Sequence, residues 1–295
     1  MDKNIQWFPG HIAKGKNDIL QLVKNVDVLV EVLDSRAIFS SKQDEYLKGI
    51  ISNKKVIYVL NKSDLADKKN LKDWISHFKE DNILFSSFDY LKSSDVNSVL
   101  KIIKDTSEKI RLKYEKKGIK NKIVRCLIFG IPNVGKSTLI NRLIHKKHLV
   151  TKNMPGVTRK INQIKLDNYT WLFDTAGILP TKFEDQNVGK NLCLINSISS
   201  KVFPYNELGE FLFDYLKKYY KKELCSYAKV DEISTYRKFI LDFSLNRKMN
   251  IKSDNELNKI LEVFIHDFEI GKIGKISLEK WNKTLMKNFI KNTNL

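Results

Sequence analysis

Residues Gly130, Ile131, Pro132, Asn133, Val134, Gly135, Lys136 and Ser137 follow the spacing G-x-x-x-x-G-K-S. Side chains of these types in this order can hold a polyphosphate. The glycines let successive backbone N–H groups curl around one phosphate, and a helix starting at the lysine aims its positive end at the same charge. In that reading Asn133, Val134, Gly135, Lys136, Ser137 and Thr138 surround the phosphates. Lys136 is the catalytic cation that reaches the β- and γ-phosphates, and Ser137 offers its hydroxyl to Mg2+. A second motif, "DTAG" at residues 174–177, ends an apolar run. Asp174 is placed to hold Mg2+, directly or through water, and the Gly177 amide to sense the γ-phosphate. Thr158, in "MPGVTRK", lies between the two motifs, where a switch threonine would close over the metal.

A third motif reads a base. In "YVLNKSDL", residues 58–65, Asn61, Lys62, Ser63 and Asp64 form N-K-x-D directly behind an apolar run. Guanine presents N1–H and an exocyclic amine along one edge, and the Asp64 carboxylate can accept both. Adenine has no such donor pair. Asn61 is expected to read another edge, and Lys62 to lay its aliphatic stem along the base plane. Ser86 and Ser87 are expected to add backbone amides around the guanine. The order of the motifs is unusual. A guanine-nucleotide site is normally encoded with the phosphate loop first, yet here Asn61 precedes Gly130 by 69 residues.

The elements that must position these motifs resolve the order. Apolar runs at 26–34, 55–60, 82–87 and 124–130 read as buried strands, the second running into Asn61 and the fourth into the phosphate loop. Runs 161–166 and 169–174 read as a hairpin around Asp167 and Asn168. Between strands, Val96, Val99, Leu100 and Ile103 share one helical face, with Ser94 or Asp95 expected as its cap. Strands alternating with helices imply a parallel α/β sheet. Started at residue 124, the motifs fall into the ordinary GTPase order. The expected fold is therefore α/β, a circularly permuted P-loop GTPase domain over 1–200, with 1–16 able to move. The charged stretch 113–122 is expected to be the linker joining the natural ends. Beyond about Phe203 the strand pattern stops, and 205–295 reads as an all-helical second domain.

Charge points to the partner. The chain of 295 residues has 53 Lys and Arg against 34 Asp and Glu, a net charge of +19, most of it in residues 1–200. Such a surplus favours a polyanion, nucleic acid before membrane. No apolar run reaches the roughly 18 residues of a membrane span, and no secretory signal pattern opens the chain. Cys126, Cys193 and Cys225 lack metal spacing and read as small buried thiols in a reducing cytosol. His77, His145, His148 and His266 show no paired metal spacing either.

Together "WFPGHIAKGK", "DVLVEVLDSRAIFSS", "NKSDL", "GIPNVGKSTLINRL", "PGVTR", "DTAGIL", "KFEDQNVGKNL" and "IGKIGKISLE" resemble the ribosome biogenesis GTPase A family over nearly the whole length. Ala176 departs from the proline usual in the family, and "PTK" at 180–182 also differs. The resemblance implies a cytoplasmic GTP-hydrolysing factor of late large-subunit assembly, a monomer off the ribosome, that contacts ribosomal RNA through its helical domain and leaves on hydrolysis. An RNA-binding module that uses GTP only as a regulatory ligand is the alternative. It draws on Ile178, which stands where many GTPases carry a water-orienting Gln. The family pattern assigns the missing catalytic role to His11. In related GTPases an asparagine at the place of Asn133 accompanies K+, which implies K+ beside Mg2+ here. Gly271 and Gly274 are expected to punctuate the last long helical pattern. Lys272 and Lys275 flank that turn, and resemblance makes them the expected RNA-phosphate contacts.

Overall fold

A computed structural model describes residues 22–43, 54–147, 151–153, 162–174 and 185–291. Among these residues one sheet carries seven strands: β1 (Val28–Asp34), β2 (Lys55–Asn61), β3 (Leu84–Phe88), β4 (Val124–Phe129), β5 (Thr151–Asn153), β6 (Asn162–Lys165) and β7 (Thr170–Asp174). Their spatial order is β3-β2-β1-β4-β7-β6-β5. Strands β3, β2, β1, β4 and β7 run parallel; β6 and β5 are antiparallel additions. The chain order turns at β4, with earlier strands on one side and later strands on the other. The crevice beyond the carboxyl end of such a strand is where open α/β sheets bind ligands.

All seven residues of β1 are buried, as a continuous apolar run in a sheet covered on both faces requires. Val28, Val30 and Val32 meet Val96, Val99 and Ile103 of α2 (Ser93–Glu115), while Leu33 joins Tyr58 and Leu60 on the other face. Helix α2 makes the permuted join. Its 23 residues span about 35 Å, enough to carry the chain from edge strand β3 back to central β4. It absorbs the first residues of the expected linker before turning at Gly118. The expected cap is corrected. The N-cap is Lys92, without a side-chain bond. Asp95 instead accepts from the backbone N–H of Asp89 at 3.0 Å, tying down the loop that leaves β3.

Helix α1 is Lys68–Glu80, α3 is Lys136–Lys147 and α4 is Gln186–Leu194. Five more helices follow: α5 (Tyr205–Tyr219), α6 (Lys221–Ala228), α7 (Tyr236–Asn246), α8 (Asp254–Glu269) and α9 (Lys283–Lys291). Phe213, Phe239, Phe243 and Phe264 form their aromatic centre, which is continuous with the core on the α2 face of the sheet. Helix α8 stops at Glu269, where Gly271 was expected to punctuate the pattern. Gly271, at φ +79°, takes a left-handed turn, with its N–H on Phe268 O and that of Lys272 on Asp267 O. This is the glycine-dependent way of satisfying a helix's last carbonyls. The chain then runs over the sheet's carboxyl edge, and α9 packs Met286 and Phe289 against Trp74, Phe78 and Tyr58. The helical region thus shares core with the sheet at both of its ends.

Candidate functional site

The phosphate loop leaves β4 at Gly130 and ends as α3 begins at Lys136. Buried Ile131 and Val134 anchor it. Gly135 sits at φ +96°, and a β-carbon there would lie 2.0 Å from Asn61 Nδ2, so no larger residue fits without displacing the Asn61 side chain. Lys136 folds back into the loop, where its ammonium donates to Gly130 O at 3.1 Å and Ile131 O at 2.8 Å. Burial pulls its pKa down to about 8 against the attraction of Asp174. Ser137 and Thr138 are exposed in the first turn of α3, where helix N–H groups lack intrahelical acceptors. Asp174 ends β7 in register with Ile128 of β4, beside the loop. A hydroxyl from Ser137 and a carboxylate from Asp174 are hard oxygen donors of the kind Mg2+ takes. Asn133, at φ +58°, turns its amide nitrogen to Asn196 O at 2.7 Å, tying the loop's tip to the end of α4.

The base-reading loop is joined to the phosphate loop directly. Asn61 donates from Nδ2 to Val134 O, so its amide supports the phosphate loop where a second base edge was expected. Ser63 N–H reaches Phe88 O at 3.4 Å, linking the loop to the end of β3. Ser86 and Ser87 lie within β3, the strand expected over 82–87, paired in register with Val59 and Leu60. Lys62 pairs with Asp34 at 3.0 Å. Asp64 Oδ1 is buried and has no hydrogen-bond partner. An unmatched buried acceptor costs about 1–3 kcal/mol, and a donor pair such as guanine's would satisfy it.

Two participants escaped the sequence reading. Asp34 is fully buried and is gripped by Arg36, with Nε on Oδ1 at 3.0 Å and Nη2 on Oδ2 at 2.9 Å. Burial pushes its carboxyl up, but Arg36 and then Lys62 outweigh this and hold it well below the usual carboxylate range. The only local signal was a D-x-R at the end of an apolar strand. The second is Glu279, buried beneath the loop after β1. It accepts from the N–H of Phe39 at 2.7 Å and of Ser40 at 2.8 Å, and also takes the Ser40 hydroxyl. Burial raises its pKa to about 6 despite these bonds.

His11, Thr158 and Gly177, with Ile178, lie outside the described residues. Lys275 is exposed, whereas Lys272 is paired at 2.9 Å with Asp267, a buried carboxylate also held by Arg247. Cys126 and Cys193 are buried, with thiols pushed up to about 12 mainly by burial, as inert core groups should be. No group of three or more metal-ligating side chains occurs among the described residues, and no helix there is long and apolar enough to cross a membrane.

With this geometry the comparisons agree. A family model described as "50S ribosome-binding GTPase" matches residues 125–237, the part that begins at the phosphate-loop strand. "Ribosome biogenesis GTPase A" of Bacillus licheniformis is 34% identical over 94% of this chain and 98% of its own. "Probable ribosome biogenesis GTPase A" of Mycoplasma genitalium is 35% identical over 93% of this chain and 96% of its own. A crystal structure of GNP-bound YlqF from T. maritima superposes with a TM-score of 0.62 at 25% identity, covering 90% of this chain and 98% of the other. A buried acceptor in N-K-x-D, fastened to a phosphate loop in a permuted sheet, is what a guanine-nucleotide site of that lineage requires, and the chain belongs to the ribosome biogenesis GTPase A family of GTP-binding ribosome-assembly GTPases.

Proposed function

We propose that this protein is a GTP-hydrolysing assembly factor that acts late on the large ribosomal subunit, binds its RNA and leaves when GTP is spent. The observation that carries the nucleotide part is the buried, unpartnered Asp64 Oδ1, on a loop that Asn61 fastens to the phosphate loop. Asp64 accepts the guanine edge, and Lys62, steadied by Asp34, flanks it. Lys136 turns from its loop carbonyls to the β- and γ-phosphates. Ser137, Thr158 and Asp174 hold Mg2+, which neutralises charge on the phosphates when bound. With its amide nitrogen on Asn196, Asn133 has Oδ1 as the atom a K+ ion would meet. His11 orients the attacking water, the role Ile178 is chemically unable to fill.

The ribosomal part is supported by the family, by the description of the matched model as 50S ribosome-binding, and by the +19 charge. Lys275, with Lys272 beside it, contacts RNA phosphates, and the protein works as a monomer in the cytoplasm, where its substrate is assembled. Co-sedimentation with purified large and small subunits under a GTP analogue, GDP or no nucleotide tests this. Phosphate release is followed in parallel with and without subunits. Analogue-dependent retention on large subunits, with faster hydrolysis in their presence, is expected. Retention indifferent to nucleotide, with no stimulated hydrolysis, would instead indicate an RNA-binding module that carries GTP as a regulatory ligand.

A further inference from the structure

The residues on either side of the base reader are held by the end of α8 and the segment that follows it. Before the reader, Arg36 clamps Asp34, and Asp34 holds Lys62. The same guanidinium donates from Nη1 to Glu269 O at 2.8 Å, a terminal carbonyl of α8, and stands 5.7 Å from the Phe268 ring. Its backbone carbonyl receives the N–H of Leu278 at 2.7 Å. After the reader, Leu65 O accepts from Ile276 N–H at 3.0 Å. Gly271 approaches so closely that a β-carbon would lie 2.8 Å from Leu65 Cδ2. Asp67 donates its N–H to Ser277 Oγ at 3.2 Å and accepts from Tyr220 OH at 3.0 Å and Lys280 Nζ at 2.6 Å. Asp64 therefore sits between two grips, both anchored in residues 269–280.

We infer that Arg36 is a positioning residue for guanine recognition, and that residues 269–280 are a clasp coupling guanine occupancy at Asp64 to the helical region. This rests on the reading of Asp64 as the guanine acceptor. The reader cannot shift toward a base without dragging Leu65, bonded directly to the clasp, and Lys62, linked to it through Asp34 and Arg36. A base that fixes Asp64 fixes the end of α8. By reciprocity, a partner that moves the helical region changes guanine affinity by the same factor. The lysines of "GKIGK" lie on this clasp, so a contact there is transmitted over a few bonds.

The test uses the full chain with Mg2+. GDP, ADP and pyrophosphate are titrated into wild type and Arg36→Lys, and amide hydrogen exchange of residues 269–280 is measured with and without GDP. Lysine keeps the charge but lacks the fork that spans both Asp34 oxygens and the Glu269 carbonyl. In wild type, GDP is expected to slow exchange across the clasp. In Arg36→Lys, GDP affinity should fall about fivefold or more, the lower end of an allosteric coupling, while pyrophosphate affinity stays unchanged. If GDP binds wild type no better than ADP, the guanine reading falls and the clasp with it. If wild type prefers GDP yet exchange over 269–280 does not respond, the clasp alone is overturned. The wild-type measurement decides this even if the variant folds poorly. Wild-type GDP affinity in a well-folded Arg36→Lys protein would overturn the positioning role.

Discussion

At the scale of single residues, the site depends on where two carboxylates find their partners. Asp34 has its full set within the protein, whereas Asp64 keeps one buried oxygen unmatched. Asp64→Asn exchanges that acceptor for an amide that presents donors. GTP binding should weaken roughly ten- to hundredfold, the value of a hydrogen bond to a charged group. Xanthosine triphosphate, whose ring has an oxygen where guanine has its amine, should bind better than it does to wild type. Parallel titrations of both nucleotides check this, and an unchanged GTP affinity would remove Asp64 from the site. His11→Ala is expected to lower subunit-stimulated turnover with little change in nucleotide affinity, the signature of an interaction made in the transition state. Single-turnover hydrolysis at the wild-type rate would rule His11 out. The turn of the phosphate loop was legible because its glycines answer to a local demand, the positive φ that Gly130 and Gly135 adopt. The role of Asn61 was not, since its partner Val134 lies 73 positions away and comes beside it only in the folded sheet.

Among the elements, α9 and the segment before it are the least expected. Phe289 is fully buried with ring centroids 5.0 Å from Phe78, 5.1 Å from Tyr58 and 5.8 Å from Trp74. Phe289→Ala should cost about 3–5 kcal/mol, a large part of a domain's stability. Urea unfolding followed by Trp fluorescence measures it, and a loss under about 1 kcal/mol would mean that the helix contributes little there. Glu279 gives the same region a pH dependence. Its carboxyl ionises near 4.5 in an unfolded chain and near 6 in its buried place. Between these values the folded protein holds a proton that the unfolded chain has released. The contribution is therefore full below pH 4.5 and is lost as pH rises through 6, by about 2 kcal/mol in all. Unfolding midpoints of wild type and Glu279→Gln across this window should diverge in slope, the variant lacking that decline; equal slopes would contradict the assignment. Helix α8 was legible from its apolar spacing and its end from Gly271, but not the path beyond, because that turn redirects the chain toward partners more than two hundred residues away.

For the whole molecule, the central fact is that one sheet collects the carboxyl ends of β1, β2, β4 and β7 along a single edge although the chain visits them in permuted order. The basic surplus of +19 suits long-range attraction to the RNA of the proposed function. Lys275→Glu should weaken large-subunit binding and lower the magnitude of its salt slope by about one, with GTP affinity altered no further than the clasp transmits. Sedimentation over a salt series reads this directly, and an unchanged slope would exclude Lys275 as a contact. Lys272 is the poorer probe, because reversing its charge would set a glutamate against buried Asp267. The sequence by itself determined the described strands other than β5, the phosphate and base motifs, the permutation and the sign of the charge. These follow from local rules: periodicity, backbone freedom at glycine, and the donor pattern of guanine. Only the tertiary structure decided that Asn61 braces the phosphate loop, that Asp34 and Arg36 stand behind the base reader, and that residues 269–280 grip it from both sides. Those contacts arise from burial, where a charged or polar group must find a partner wherever the packed chain brings one, and sequence spacing carries no record of that choice.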